Sequence, residues 1–271
     1  MRLSIRHTTR YDFSDPVYYG LQRLRLKPKP THGQSVLGWD MALEGAILEA
    51  EYDDHQNNRT TLVSVMPGTR EVSITCSGTV DTSDHIGIVG PHTGLMPLWC
   101  FLRPTPLTKP GSRIRALVAG LDSRRDDRVE TLHALSRAVL TAVRYEPGAT
   151  AVDTTAEEAL SAGHGVCQDH SHIFIGAARL LDIPARYVSG YLKMDGRIEQ
   201  EAGHGWAEAH VEGLGWVGFD VSNGISPDER YVRVATGYDY TDAAPVAGVS
   251  LGRGQAALQV ELAVEQQRGD Q

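Results

Sequence analysis

The chain has 271 residues, 41% hydrophobic and 22% charged, enough for one large core or two modest ones at about 150 residues per domain. Its 26 Lys and Arg against 34 Asp and Glu give a formal net charge of −8, without the basic excess that would neutralise phosphates in a nucleic-acid partner. No apolar run approaches the ~20 residues of a membrane-spanning helix, and Met1-Arg2-Leu3-Ser4-Ile5-Arg6-His7 lacks the apolar stretch of a secretory signal, so a cytoplasmic protein with neither membrane nor nucleic-acid partner is expected.

The first 90 residues read as an antiparallel β domain. Leu3-Ser4-Ile5, Leu24-Arg25-Leu26, Thr61-Leu62-Val63-Ser64-Val65 and Val72-Ser73-Ile74-Thr75-Cys76 alternate with period two, and the clusters at 27–30, 53–58 and 67–68 supply turns. Five prolines, at 91, 97, 104, 106 and 110, exclude a regular helix or central strand, so residues 91–121 read as a connection. From 122 to 271 the pattern changes. Leu132, Leu135, Val139 and Val143 fall at helical spacing, with Asp122 or Ser123 as N-cap. Thr155-Ala156-Glu157-Glu158 is a capping box that opens a second helix, ended by Gly163 and Gly165. A third, apolar nearly all round and therefore buried, starts at Cys167 and stops before Pro184. Strands follow at 185–192, 205–211 and 216–220, with one further alternating run from Leu258 to Val264.

Three cysteines, far apart and without C-x-x-C spacing, argue against a disulfide scaffold or a zinc ribbon. Cys76 and Cys100 lie among apolar residues and read as packing residues. Cys167 opens a helix, where unpaired N–H groups and the helix dipole favour a thiolate and can hold an oxyanion. A packed, inert thiol is the other use of such a residue. A thiolate nucleophile needs a base, and the base an orienting partner. His204 opens one strand and Asp220 closes the next. A three-residue hairpin loop over 211–213, with Gly213 left-handed, pairs 210 with 214, 208 with 216, 206 with 218 and 204 with 220. That sets imidazole beside carboxylate on one face. Trp206 shares the face and could wall a cleft or fill the core; Tyr238 sits in a polar aromatic cluster, Tyr238-Asp239-Tyr240, within reach of a substrate. The rival chemistry is zinc binding by His164, Cys167, His170 and His172, completed by His204 or His210. On a helix 167 and 170 share a face but His172 points elsewhere, so no metal or other cofactor is expected.

The blocks Gly165-Val166-Cys167-Gln168-Asp169, Gly176 to Tyr191 with its Ile183-Pro184-Ala185-Arg186-Tyr187 centre, His204-Gly205-Trp206-Ala207-Glu208 and Gly215-Trp216-Val217-Gly218-Phe219-Asp220 occur in order. In these the chain resembles the bacterial transglutaminase-like proteins, often described as cysteine proteases, and its first 90 residues resemble their preceding β domain. The resemblance implies an α+β, papain-like core, with Cys167 as nucleophile, His204 as general base and acid, and Asp220 orienting the imidazole. Gly165 would stand beside the oxyanion site. It departs from the family at His170, where an aromatic is common, and at Gly205, where Ala is usual. The implied reaction is attack on a peptide or glutamine-type amide to give a thioester. Water would then give hydrolysis, a primary amine transfer; without a D-x-D-x-D-G calcium loop, hydrolysis is the expected outcome. A catalytically idle module, binding peptides or a partner through the same cleft, is the alternative; oligomeric state is left open.

Overall fold

The structure is a computed structural model that describes residues 1–121, 127–200, 202–251 and 255–267. In chain order the N-terminal strands are β1 (Arg2–Phe13), β2 (Tyr19–Leu24), β3 (Gln34–Glu44), β4 (Ala46–Asp53), β5 (Arg59–Val65) and β6 (Glu71–Thr82), followed by the short β7 (Ile88–Gly90). Then come α1 (Ser112–Ala119), α2 (Arg128–Ala142), β8 (Arg144–Tyr145), α3 (Ala156–Ala162), β9 (His164–Gly165) and α4 (Cys167–Leu180). The chain continues through β10 (Ala185–Leu192), β11 (Glu199–Gln200), β12 (His204–Val211), β13 (Gly215–Phe219) and β14 (Tyr231–Gly237), and ends with α5 (Tyr240–Ala243), β15 (Val246–Leu251) and β16 (Ala256–Gln266). Among the described residues no helix is long and apolar enough to cross a membrane.

Two sheets, ordered β11-β16-β1-β6-β3 and β15-β2-β5-β4, enclose a core of Phe13, Val17, Leu24, Val63, Val65, Val72, Ile74 and Cys76. The period-two runs of the sequence are the inward rows of these strands. Strand β3 carries the same signal in Trp39, Met41 and Leu43, but that row is only half-buried and the opposite face is exposed. The last strands return: β15 pairs with β2 and β16 with β1, so these two strands complete the sheets begun by the first 90 residues.

The second five-stranded sheet, β14-β10-β12-β13-β7, carries α4 on one face. Helix α4 is buried from Asp169 to Arg179 because α1, α2 and α3 cover its outer side, and Ile173, Phe174, Ile175, Ala177 and Ala178 pack against Tyr187, Ala207, Ala209, Val217 and Phe219. Arg179 locks this layer, donating to the carbonyls of Phe101, Ala185 and Tyr238 and to Thr108 Oγ1 at 2.7–2.9 Å. Leu3, Ile5, Val80, Leu262 and Val264 meet Tyr191, Val232 and Val234, which seats the N-terminal sheet on the core sheet.

Helix α3 starts at its capping box, Thr155 and Glu158 bonding reciprocally, and closes at Gly163. The N-cap of α2 is Asp127, which accepts from Glu130 N at 2.9 Å; Asp122 and Ser123, the expected caps, lie outside the described residues. The connection over 91–121 is ordered, as its prolines suit, and turns helical after the last of them. It holds a 3₁₀ turn at Leu98–Leu102 and all of α1, whose first N–H groups, on Gly111, Arg113 and Ile114, donate to the Glu157 carboxylate at 2.6–3.2 Å. A cap that comes from 44 residues away leaves no local sign.

Candidate active site

Cys167 is the first residue of α4, half-buried, with the free N–H groups of the first turn around it. Val166 before it has no side-chain acceptor. The turn is instead closed by Asp169, which takes the Val166 N–H at 2.8 Å and the Thr150 hydroxyl at 2.7 Å. His204 Nε2 lies 2.6 Å from Asp220 Oδ2, in a pocket where His204 is 9% and Asp220 0% exposed. With Nε2 committed, Nδ1 is the nitrogen left for the Cys167 side chain, which lines the same cleft and helps raise the His204 pKa.

The hairpin that brings His204 and Asp220 together is not in the expected register. Ala207 pairs with Phe219, Glu208 with Gly218, Ala209 with Val217 and His210 with Trp216. The three-residue loop is Glu212-Gly213-Leu214, one position later than expected, though Gly213 does hold the left-handed conformation at φ 83°. Moving the loop by one residue shifts the pairing by two. Because side chains alternate with period two, a two-residue shift keeps every face, and His204 and Asp220 meet diagonally instead of directly across.

Asp220 is held from all sides. Besides His204, its Oδ2 accepts the Tyr231 hydroxyl and Asn223 Nδ2, each at 2.7 Å, and Oδ1 accepts the Asn223 N–H at 3.3 Å. It is also the first residue of the turn to Ile225, so the turn-forming and His-orienting roles of Asp220 coincide. Burial would raise its pKa; the bonds from His204, Tyr231 and Asn223 outweigh that and hold it below the usual carboxylate range. Burial would likewise neutralise His204, but hydrogen bonds to Asp220 and Cys167 prevail and push it up to about 10, so the ring is an imidazolium at neutral pH. Tyr231 and Asn223 escape the sequence reading, although the Val221-Ser222-Asn223-Gly224 turn marks the second.

The cleft over Cys167 and His204 has a volume of about 290 Å³. Its core wall is Tyr187, Gly205 and Tyr240; the facing wall is Tyr11 and Thr9 of β1, Val246, and Leu258 and Val260 of β16. The Tyr187 hydroxyl makes no hydrogen bond among the described residues. It also explains the departure at 205: a Cβ there would stand 2.0 Å from Tyr187 Oη, so only glycine fits.

Gly165, Trp206 and Tyr238 are not among the residues that line this cleft. Gly165 is buried in β9, its carbonyl accepting from Glu146 N at 2.8 Å. Trp206 is a core aromatic behind His204, stacked on it at 6.2 Å and edge-on to Tyr231 at 5.4 Å. The Tyr238 ring packs on Phe101 at 5.3 Å; two residues on, after Asp239 caps α5, Tyr240 faces the cleft instead.

His170 binds Ser222 Oγ at 2.8 Å and the Val143 carbonyl at 3.0 Å, tying α4 to the Asp220 turn. His172 Nε2 accepts the Tyr240 N–H at 3.1 Å. These rings serve packing, and among the described residues no three His, Cys, Asp or Glu side chains are grouped to hold a metal ion. All three cysteines are free, and burial pushes the Cys76 thiol up to about 12.

An antiparallel sheet with a buried Cys-bearing helix on one face, and His and Asp at adjoining strand ends, defines the papain-like class of α+β core. Residues 115–221 match the Transglutaminase-like superfamily and residues 3–81 the Bacterial transglutaminase-like N-terminal region, so a transglutaminase-like core follows an N-terminal region of the bacterial transglutaminase-like kind over these residues. Uncharacterized protein ML0607 of Mycobacterium leprae is 29% identical over 97% of this chain and 98% of its own, and Rv2569c of Mycobacterium tuberculosis 29% identical over 92% and 87%. The fold is also that of a candidate cysteine protease from Cytophaga hutchinsonii, with a TM-score of 0.77 at 22% identity, covering 100% of this chain and 92% of that one. Superfamily and site geometry together support a thiol-dependent enzyme.

Proposed function

We propose that this protein hydrolyses a peptide or glutamine-type amide through a thioester on Cys167. The observation that carries the reading is the buried His204–Asp220 pair at 2.6 Å, its free ring nitrogen turned to a cysteine at a helix N-terminus. In the first half-reaction the sulfur bonds to the amide carbon, the C–N bond breaks, and His204 Nδ1 gives its proton to the departing nitrogen. The oxyanion formed on the way is stabilised by the N–H groups of the first turn of α4. In the second, water bonds to the carbonyl carbon and yields a proton to His204, the C–S bond breaks, and a carboxylic acid leaves. Asp220 keeps the imidazole oriented throughout. The apolar wall of Tyr11, Val246, Leu258 and Val260 favours an apolar group beside the scissile amide.

The test is incubation of the purified protein with N-acylated glutamine dipeptides and a peptide-amide panel, with and without a labelled primary amine. Release of ammonia or amine without label incorporation, absent in Cys167→Ala, is the expected result. Label incorporation would make the protein an acyl transferase. No turnover and no thioester across the panel would leave the idle binding module as the reading.

A further inference from the structure

The core sheet has a second charged cluster, on the face away from α4. Ala207 and Ala209 face the helix, so Glu208 between them points the other way. Its buried carboxylate takes Arg186 Nε at 2.7 Å and Nη2 at 2.6 Å, and Arg233 Nε at 2.7 Å and Nη2 at 3.1 Å. Arg186 also lies 3.8 Å over the Trp216 ring. One carboxylate thus serves two guanidinium groups, and each retains an Nη1 with no acceptor among the described residues.

A third cation adjoins them. Lys29 reaches in from the N-terminal region and donates to the carbonyls of Gln56 and Asn57, to Asn58 Oδ1 and to Thr236 Oγ1, at 3.0–3.4 Å. All four acceptors are neutral. The next carboxylate, Asp54, is already bound to Arg25 at 2.9 Å. Three cations therefore share one carboxylate, Glu208, which Arg186 and Arg233 already occupy, in an otherwise acidic protein. Burial, and after it the like charges of Arg233 and Arg186, depresses the Lys29 pKa well below its usual value.

Between these groups is a cavity of about 380 Å³, lined by Lys29, Gln56, Arg186 and Arg233 and walled by Phe101 and Trp216. Gln56 is 7% exposed, and its Nε2 is buried without an acceptor. A buried donor without an acceptor is costly, and this one lines the cavity. We propose that this cavity is a binding site for a small molecule bearing a compact oxyanion, phosphate or carboxylate, whose apolar part lies against Trp216 and Phe101. The anion would accept from the free guanidinium N–H groups and the Gln56 amide, and would balance Lys29. The site lies apart from Cys167 and stands whether or not the chain is an amidase.

The experiment is thermal melting of the full chain in sodium phosphate, in sodium benzoate and in sodium chloride at equal ionic strength, for wild type and Gln56→Glu. Expected is a saturable rise in Tm of several degrees with phosphate, with benzoate, or with both, and none with chloride; which salt acts identifies the oxyanion. Gln56→Glu places a carboxylate beside the cations, so it should melt above wild type in chloride and lose the response. A wild type that answers neither oxyanion overturns the proposal. So does a Gln56→Glu protein that still responds in full, because the anion then binds elsewhere. Cys167→Ala should respond as wild type does.

Discussion

Strands β12 and β14 carry two buried charged clusters a few residues apart, and the two are built on opposite principles. At one end, His204 and Asp220 with Tyr231 and Asn223 form a closed set in which three donors converge on one carboxylate oxygen. At the other, Arg186, Arg233 and Lys29 surround Glu208 with more donors than acceptors. A closed set fixes geometry, which is what a group that must shuttle one proton requires. An open set of excess donors leaves room for something else to complete it. The comparison shows why burial of charge alone does not identify a catalytic centre: donor and acceptor balance separates a preorganised set from one with donors to spare.

Substitutions break the comparison at different strengths. Cys167→Ala should lower amide turnover at least about 10⁴-fold while leaving the urea midpoint within experimental error, since the Cys167 side chain stands outside the closed set that holds Asp220. Glu208→Ala should act in reverse, destabilising the fold by about 3–5 kcal/mol because two buried guanidinium groups lose their only carboxylate; urea unfolding would measure it. Gly205→Ala should cost about 1–3 kcal/mol by driving a methyl into Tyr187 Oη, and the double variant with Tyr187→Phe should recover part of that loss. Tyr231→Phe removes one of the three bonds on Asp220 Oδ2 and should cost about 1 kcal/mol of stability, with a modest fall in turnover.

A further prediction concerns pH dependence. His204 rises in the fold from its ordinary ~6.5 to about 10, so its contribution to stability is complete below about pH 6.5 and is lost as pH climbs toward 10. Asp220 is depressed, so its contribution holds above about pH 4 and is lost as pH falls further. Urea midpoints should therefore decline from pH 6.5 to 9.5 in wild type, and decline less in His204→Gln.

Helix starts and strand ends are local events, and this is why Cys167, His204 and Asp220 could be placed from the residues alone. The Thr155 capping box, the buried helix from Cys167 and the strand from Ala185 were legible for the same reason. Features fixed by distant partners were not. Glu157 caps α1 from another helix, Tyr231 reaches Asp220 from a strand whose Val232-Arg233-Val234 alternation hides a buried cation, and β16 pairs with β1 across the whole chain. The hairpin register was missed by two residues because Leu214 rather than Val211 completes the loop, yet period two preserved the shared face. Trp206 shows the limit of face assignment: it has the same parity as His204 but packs behind the ring.

The central claim is that His204, charged and held by Asp220, activates Cys167. Iodoacetamide labelling at pH 6, with the modified cysteine located by mass spectrometry in wild type and in His204→Ala, tests it most directly. The account predicts labelling of Cys167 within minutes, ahead of the buried Cys76 and Cys100, and at least about tenfold slower labelling of Cys167 in the variant. Equal rates in the two proteins would contradict it.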